Sequence, residues 1–343
     1  MIYVGMDVGS KKFMIHAIND RKKVLYKGEI DASRRGLRSL ARELGDQSKL
    51  FAFEAGHQLK WVAETLKQLK VGMHVVHPNE VKWITKSKQK TDKIDAKKLS
   101  ELARSEMLPE KVHVVEGNVR SLRELIRTRD MIQSKRISML NSIRGFALQD
   151  GVKLPAQFFA QGKWKIEAST LKLSATVEKI VTELMSCIDQ LFESEKTLLD
   201  EIKSIDDKRI ELLKSIPTIG DLSSRVILSA IDDAKRFKNK KKVANYGSLS
   251  PRIYQSGGTL HLGRINPDGR REVRKVLLQC AHTVTRMRTP SSQPLKQFYE
   301  RIEKNRGKKK AVIALARKLL TTAYGVLKTG EYYNPQKLMP HAA

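Results

Sequence analysis

The chain has 343 residues, which suits two or three domains, and its 40% of hydrophobic residues can bury sizeable cores, which excludes wholesale disorder. Its formal net charge is +29, from 66 Lys and Arg against 37 Asp and Glu. Because self-repulsion opposes compaction, this excess predicts a polyanionic partner, either for an enzyme or for a binder without chemistry.

Three strand patterns open the chain, and helix and strand patterns then alternate. Runs of β-branched and apolar residues predict strands at residues 2–8, 13–18, 24–30, 50–54 and 73–76. Amphipathic spacing predicts helices at residues 33–44, 58–69, 95–104 and 119–148. An antiparallel opening followed by this alternation predicts a mixed α/β sheet.

Apolar residues recur every three or four positions between residues 177 and 205, over about four heptads, and only Glu195 interrupts the seam. The pattern is typical of a coiled coil or a helical hairpin, although one amphipathic helix packed on its own domain fits equally. We favour a coiled coil that joins protomers, because the flanking segments resemble separate domains. The seam consists of Val177, Val181, Leu184, Ile188, Leu191, Leu198, Ile202 and Ile205.

The segment LLKSIPTIGDLSSRVILSAI, residues 212–231, has the pattern of a helix-hairpin-helix. Gly220 and the first amides of the following helix could hold a phosphate without reading bases, and a plain helical hairpin is the alternative. The run KRFKNKKK follows directly. Its basic residues either bind nucleic acid or form a solvated charge run. They are Lys235, Arg236, Lys238, Lys240, Lys241 and Lys242.

Four carboxylates stand at the ends of predicted elements. Asp7 lies within an apolar strand, and Glu54 ends another strand in FAFEAGH. Asp92 and Asp95, in TDKIDAKK, are three residues apart and share one side of a helix start. Oxygen ligands of this kind favour Mg²⁺ or Mn²⁺, and two such ions would suit phosphodiester chemistry.

Each carboxylate also has a simpler interpretation when it is taken alone. Asp7 with Gly9 could form the phosphate-binding turn of a sugar-kinase-like or actin-like ATPase, Glu54 could cap a helix, and Asp92 with Asp95 could offset neighbouring lysines. Their joint arrangement favours a metal site. An ATPase would also need further glycine-rich nucleotide turns downstream, and we find none that is convincing.

These motifs resemble those of the insertion-sequence-110 family of transposases. The segments VGMDVGSKK, FEAGH and TDKIDAKKL are similar to its DEDD motif, and residues 247–278, GSLSPRIYQSGGTLHLGRINPDGRREVRKVLL, resemble its second signature domain. The two motifs stand in the family's order, and the helix-hairpin-helix and the coiled coil fall between them, so the resemblance covers nearly the whole chain. The resemblance implies a RuvC-like ribonuclease-H fold that binds Mg²⁺ through Asp7, Glu54, Asp92 and Asp95.

The same resemblance implies a serine recombinase that a structured bridge RNA guides. By motif position the nucleophile is Ser256, before Gly257 and Gly258, although the family often has a second Ser or Thr where this chain has Gln255. The nearby Ser248 and Ser250 stay alternatives. Ser256 has no acid or histidine beside it in sequence, so a base or metal from elsewhere must activate it.

Five arginines surround this second block, and guanidinium groups match the geometry of phosphate oxygens. We predict that some of them bind phosphates beside the nucleophile. Residues 308–310 are three lysines before an apolar helix, and we expect them to contact the nucleic-acid backbone. The arginines are Arg252, Arg264, Arg270, Arg271 and Arg274.

We therefore predict a RuvC-like catalytic domain at residues 1–158, a coiled-coil linker at 159–210, and a mostly helical transposase domain with the helix-hairpin-helix at 211–343. The expected partners are donor and target DNA, a bridge RNA and further copies of the chain, in a dimer or tetramer.

The protein is expected in the prokaryotic cytoplasm, near the nucleoid. Its two cysteines, Cys187 and Cys280, indicate no zinc site, and its start is unlike a signal peptide. No apolar stretch reaches the roughly 20 residues that span a bilayer.

Two other functions are compatible with the sequence. A RuvC-type Holliday-junction nuclease would use the same metal site with water and would need no serine. A non-catalytic architectural protein would explain the charge but would leave the buried-looking Asp7 unexplained.

Overall fold

The structure is a computed structural model that describes residues 1–84, 92–160, 163–256 and 259–338, with the backbone alone at 82–84, 92–93, 253–256 and 259–262. Contacts divide the chain into two compact units, Met1–Val114 and Val115–Ala343. None of the helices within the described ranges is long and apolar enough to cross a membrane.

The first unit is built on a five-stranded mixed sheet with the order β3-β2-β1-β4-β5. The first three strands pair antiparallel, and β4 and β5 continue parallel to β1. The predicted mixed sheet is thus confirmed. The strands are β1 (Ile2–Val8), β2 (Lys12–Asn19), β3 (Val24–Asp31), β4 (Lys49–Glu54) and β5 (Gly72–Val76).

Helices cover both faces of this sheet. The even-numbered side chains of β1, such as Met6, pack with Leu37 and Leu66 in one apolar core. On the opposite face Ala52 packs with Leu99 in a second core. The sequence missed one helix, α3, because the His77–Pro78 pair resembled the end of a strand. The helices are α1 (Arg34–Glu43), α2 (Leu59–Gln68), α3 (Pro78–Ile84) and α4 (Asp92–Arg104).

The second unit is mainly helical and contains one two-stranded hairpin. Its largest core is centred on the last long helix, where Leu315 and Leu319 pack with Ile227 and Leu277. The elements are α5 (Gly117–Gln149), α6 (Trp164–Ser169), α7 (Ala175–Ser204), α8 (Lys208–Lys214), α9 (Asp221–Ile231), α10 (Lys240–Tyr246), β6 (Pro251–Ser256), β7 (Thr259–Ile265), α11 (Arg271–Val284), α12 (Gln293–Arg306) and α13 (Lys308–Thr329).

The predicted heptad seam lies on α7, but it does not face outward. Val177, Val181 and Ile188 are buried with Ile143 and Ala147 of α5, so the seam packs within one chain. The expectation that this seam joins protomers is therefore wrong. Periodicity indicates that an apolar stripe packs against another surface but not which one. Here that surface belongs to α5, the preceding long helix of the same chain.

Glu195, which interrupts the seam on α7, has its partner on α5. Glu195 has only 6% of its surface exposed, and its carboxylate accepts hydrogen bonds from Arg136 Nε at 2.6 Å and Nη2 at 3.3 Å. A buried carboxylate is costly unless it is paired. The bidentate contact therefore replaces one apolar layer between α5 and α7.

The division into units differs from the predicted domain boundaries. By its contacts α5 belongs to the second unit, whereas the predicted boundary at residue 158 assigned it to the catalytic domain. The three functional domains, bounded at residues 158 and 210, stay a prediction, since compactness alone does not define function.

Substitution of Glu195 tests this pairing. We expect Glu195→Ala to destabilise the protein by about 1–3 kcal/mol, because it leaves the Arg136 guanidinium without its carboxylate. Glu193→Ala removes the same charge from an exposed position of α7 and should change the stability little. Urea unfolding measures both, and equal effects of the two variants would contradict the structural role of the pair.

Candidate functional site

Two of the four predicted carboxylates end neighbouring parallel strands. Asp7 directly follows Met6 on β1, Glu54 directly follows Phe53 on β4, and Met6 and Phe53 pair in the register. Adjacent strands lie about 4.8 Å apart, so the two backbone positions are close. Both residues are partly buried, and alternation along each strand places them on the face that carries Ala52.

The helix α4 covers this face and comes unusually close to β1. A Cβ atom on Gly5 would overlap the carbonyl oxygen of Ala96 and lie 2.5 Å from the amide nitrogen of Ser100. Only glycine permits such an approach of two backbones. The helix is further fixed by Ser100, whose Oγ lies 2.7 Å from Nδ1 of the buried His16 on β2.

The direction of α4 brings its first turn toward the two carboxylates. Tyr3, near the start of β1, packs against the core that contains Ala103 and interacts electrostatically with Arg104, the last residue of α4. The helix therefore runs antiparallel to β1. Asp92 begins α4 one turn before Ala96, and Asp95 immediately precedes Ala96, so both lie toward the Asp7 end of β1.

The turn after Asp7 is also held in place. Gln58, which precedes α2, donates from Nε2 to the carbonyl oxygen of Gly9 at 2.6 Å. A Cβ atom on Gly9 would lie 2.5 Å from the carbonyl oxygen of Lys12, so this tight turn also requires glycine. The end of β1 is thus fixed from two sides.

These backbone positions favour one metal site that the four carboxylates share, but they do not establish the positions of the metal-binding oxygens. Among the side chains that the structure describes, which leave out Asp92, no group of three His, Cys, Asp or Glu could hold a metal ion. The set of Asp7, Glu54, Asp92 and Asp95 around Mg²⁺ or Mn²⁺ therefore stays a prediction.

The predicted nucleophile belongs to the hairpin of β6 and β7. Ser256 pairs with Thr259 in the backbone register, while Gly257 and Gly258 lie outside the described residues. The base of the hairpin is joined by the amide of Asn266, which donates to the carbonyl oxygen of Ser250 at 2.9 Å.

Of the two alternative serines, Ser248 is unsuited to attack a DNA phosphate as it stands. Its side chain is fully buried, its φ is 56°, and its Oγ has no hydrogen-bond partner among the described residues. A Cβ atom on Gly269 would lie 2.5 Å from that Oγ, so the surrounding backbone encloses it. Ser250 is partly buried at the base of the hairpin.

The helical hairpin predicted for residues 212–231 is formed by α8 and α9. At the start of α9, the amide of Gly220 donates to Ser223 Oγ at 2.8 Å. The carboxylate of Asp221 lies 3.3 Å from Lys214, whose hydrogen bond and charge lower the pKa of Asp221. This helix end already carries an anionic group, and phosphate binding by Gly220 stays a prediction.

The basic run does not behave as one surface. Arg236 donates to the carbonyl oxygens of Ala230 and Ile231 at the end of α9, and its guanidinium lies 4.0 Å from the ring centroid of Phe237. Arg236 therefore caps the C-terminal end of α9, a role that the composition of the basic run does not predict. The other five basic residues are exposed, as a nucleic-acid contact requires: Lys235, Lys238, Lys240, Lys241 and Lys242.

The five arginines of the second block divide in the same way. Arg252, Arg264 and Arg271 are exposed, and Arg274 is partly buried. Arg270 instead donates from Nε to the hydroxyl of Tyr246 at 3.1 Å and lies 3.4 Å from Glu272. The sequence did not identify Tyr246 as part of a site, because the contact depends on chain segments 24 residues apart.

Two family models match the chain. A model of IS110-type DEDD transposases, described as a transposase, matches residues 4–150. A model described as the transposase IS116/IS110/IS902 family matches residues 210–300. The first match includes the four carboxylates, and the second includes Ser256.

Several proteins similar in sequence to this chain bear related names. The transposase for insertion sequence element IS1328 of Yersinia enterocolitica is 23% identical over 96% of this chain and 98% of its own. The transposase for insertion sequence element IS1111A of Coxiella burnetii is 22% identical over 96% of this chain and 90% of its own. The pilin gene-inverting protein of Moraxella bovis is 38% identical over 122 residues, which cover 35% of this chain and 37% of its own.

Substitution of Gly5 tests how the site is positioned. Gly5→Ala should destabilise the first unit by about 1–3 kcal/mol, because the added methyl group overlaps the backbone of α4. Gly28→Ala is the matched control on β3, where a Cβ atom would lie 3.7 Å from Tyr26 in ordinary contact. Thermal denaturation should separate the two variants, and a Gly5→Ala protein as stable as Gly28→Ala would refute the close approach.

Proposed function

Since the chain belongs to the IS110 family of transposases, we propose that it cuts and rejoins DNA through a covalent bond between Ser256 and a DNA phosphate. The observation that carries the proposal is the convergence of Asp7 and Glu54, on neighbouring strand ends, with the first turn of α4. The mixed sheet is compatible with the RuvC-like ribonuclease-H fold that the family resemblance implies.

The donor set suits a hard divalent cation. Carboxylate oxygens on rigid strand ends and a helix start are the ligands that Mg²⁺ and Mn²⁺ prefer. Asp7, Glu54, Asp92 and Asp95 would hold the metal. When bound, it would supply charge stabilisation to the reacting phosphate and lower the pKa of a coordinated hydroxyl.

The serine step conserves the energy of the phosphodiester. The Oγ of Ser256 attacks phosphorus and forms a P–O bond, while the bond to the leaving DNA oxygen breaks. The serine proton goes to a base, and the leaving strand end gains a proton as a free hydroxyl. Attack by a hydroxyl of another strand then reverses these changes and frees Ser256, so the strands are rejoined without net hydrolysis.

One relative favours rejoining over hydrolysis. The name of the Moraxella bovis protein describes inversion of a gene, a reaction that must rejoin the strands it cuts. A RuvC-type nuclease that uses water would leave open ends. We therefore place strand transfer before the junction-nuclease alternative.

Guidance by a bridge RNA is part of the proposal. The formal charge of +29 suits polyanionic partners, and a structured RNA would be one of them beside DNA. Donor and target DNA are the other partners, in the cytoplasm at the nucleoid. A dimer or tetramer is also proposed, but it must use a surface other than the α7 seam, which α5 covers.

The nucleophile is tested by trapping the covalent intermediate. On a nicked suicide DNA substrate, wild-type protein should form an adduct that resists denaturation, and mass spectrometry should map it to Ser256. Ser256→Ala should lose the adduct and still bind DNA and RNA, whereas Ser248→Ala should keep it if it folds normally. An adduct mapped to Ser250 would reassign the nucleophile.

Metal dependence is tested separately. Asp7→Asn removes one negative charge with little change of shape, so it should abolish Mg²⁺-dependent cleavage while DNA binding is retained. Asp46→Asn, in an exposed turn of the same unit, is the matched control. Full activity of Asp7→Asn would exclude the metal site, and cleavage by wild-type protein without any adduct would favour the junction nuclease.

A further inference from the structure

Four arginines gather around one tyrosine in the second unit. Arg270 donates to the Tyr246 hydroxyl, and the guanidinium of Arg236 lies 4.6 Å from the centroid of the Tyr246 ring. Arg123 and Arg127, one turn apart on α5, both interact electrostatically with Tyr246 and Arg270. We call these five residues the arginine cluster.

The nearby acids do not balance this charge. Glu272 lies 3.4 Å from Arg270 and offsets one of the four guanidinium groups. Glu124, the other acid that acts on Arg127, lies 2.9 Å from Arg120 and is engaged there. The arginine cluster therefore keeps a large net positive charge in a partly buried place, where repulsion is screened less than at the surface.

Ionisation in the cluster responds to this crowding. Burial, followed by the charge of Arg270, lowers the pKa of Arg123 to about 10. Burial alone would raise the pKa of Tyr246, but the charges of Arg270, Arg123 and Arg236 outweigh it and lower that pKa. Both shifts have the sign that an added anion would reverse.

Protein contacts hold the cluster in shape. Arg123 donates from Nε and Nη2 to the carbonyl oxygen of Ser229, at 3.0 and 2.7 Å. The amide of Arg270 donates to the carbonyl oxygen of Tyr246 at 2.7 Å. A guanidinium has five N–H donors in a fixed fork, so these contacts orient it without using all of them.

We propose that the arginine cluster binds one phosphate of a nucleic-acid backbone, with Arg127 and Arg270 as its main donors. The inference rests on the proposed function, which supplies the nucleic acid. Arg127 is the exposed member of the cluster, so a phosphate can reach it from solvent. The other arginines are partly buried and add positive charge behind it.

The bound phosphate is not the one that reacts. The main-chain hydrogen bond between Tyr246 and Arg270 lies outside the β6–β7 hairpin, whose first strand, β6, then extends over six residues to Ser256. At about 3.3 Å per residue this strand is roughly 17 Å long, which corresponds to about five nucleotides of a B-form strand. The cluster therefore positions nucleic acid at a distance from the nucleophile.

The proposal is tested with the full-length chain and Arg127→Gln. Binding to a labelled DNA duplex is measured over a range of salt concentrations, and a structured RNA is measured in parallel. One lost phosphate contact should reduce the slope of log K against log[salt] by about 0.9 on duplex DNA, or by about 0.7 where the contacted RNA is single-stranded. A loss confined to one nucleic acid identifies the source of the phosphate.

The matched control is Lys135→Gln, which removes one exposed charge from the same helix α5. Its slope should equal that of wild-type protein. An unchanged slope for Arg127→Gln on both nucleic acids, or the same loss for Lys135→Gln, would overturn the proposal.

A second measurement is independent of nucleic-acid affinity. Inorganic phosphate, at matched ionic strength, should raise the pKa of Tyr246 in wild-type protein but not in Arg127→Gln. The pKa is read from tyrosinate absorbance as the difference from Tyr246→Phe. No effect of phosphate on wild-type protein would contradict an anion site.

The adduct assay separates this inference from the proposed function. Wild-type protein that neither binds nucleic acid nor forms the Ser256 adduct would refute the proposed function itself. Wild-type protein that does both, with an Arg127→Gln variant indistinguishable from it, would refute the arginine cluster alone.

Discussion

The candidate active site depends on one contact, the approach of α4 to β1 at Gly5. Without a Cβ atom between them, the carbonyl oxygen of Ala96 and the strand backbone come into direct contact. This contact fixes how closely α4 packs on the sheet, and the first turn of α4 contains Asp92 and Asp95. Because β1 and β4 are neighbours in the sheet, Asp7 and Glu54 need no further device to be adjacent. The backbone positions of Asp7, Glu54 and the first turn of α4 are thus set by main-chain packing.

The second unit places its charges by a different means. Arg236 and Arg270 come from segments that look equally basic in sequence, yet each is held by particular carbonyl, hydroxyl or aromatic groups. The main-chain hydrogen bond between residues 270 and 246 also joins the two segments that flank the serine hairpin. One set of contacts therefore holds both the concentrated positive charge and the segments from which the hairpin extends.

Local pattern predicted most of the first unit, because strand alternation and helix periodicity depend on residues close in sequence. The five strands and the helices α1, α2 and α4 of this unit follow the predicted order, and so does α5 at the start of the second unit. What pattern could not give was the partner of each face. The α7 seam has the same periodicity whether α5 or a second chain covers it, and Glu195 looked like a defect until Arg136 was found opposite. The carboxylates and Ser256 came from motif resemblance, whereas Tyr246 and Arg123 required the fold.

The pairing of α5 with α7 has a mechanical consequence. Ile202 and Leu122 anchor one end of this helix pair in the large core of the second unit, while Val177 and Ile143 belong to a separate small core at the far end. A helix of 30 residues is about 45 Å long. The helix pair is therefore a long rigid element with a small core of its own at the far end, which we call the tip. A rotation of about 10° at the anchored end would carry the tip through about 8 Å. A small rotation where the large core holds this helix pair would therefore become a large displacement of the small core at its far end.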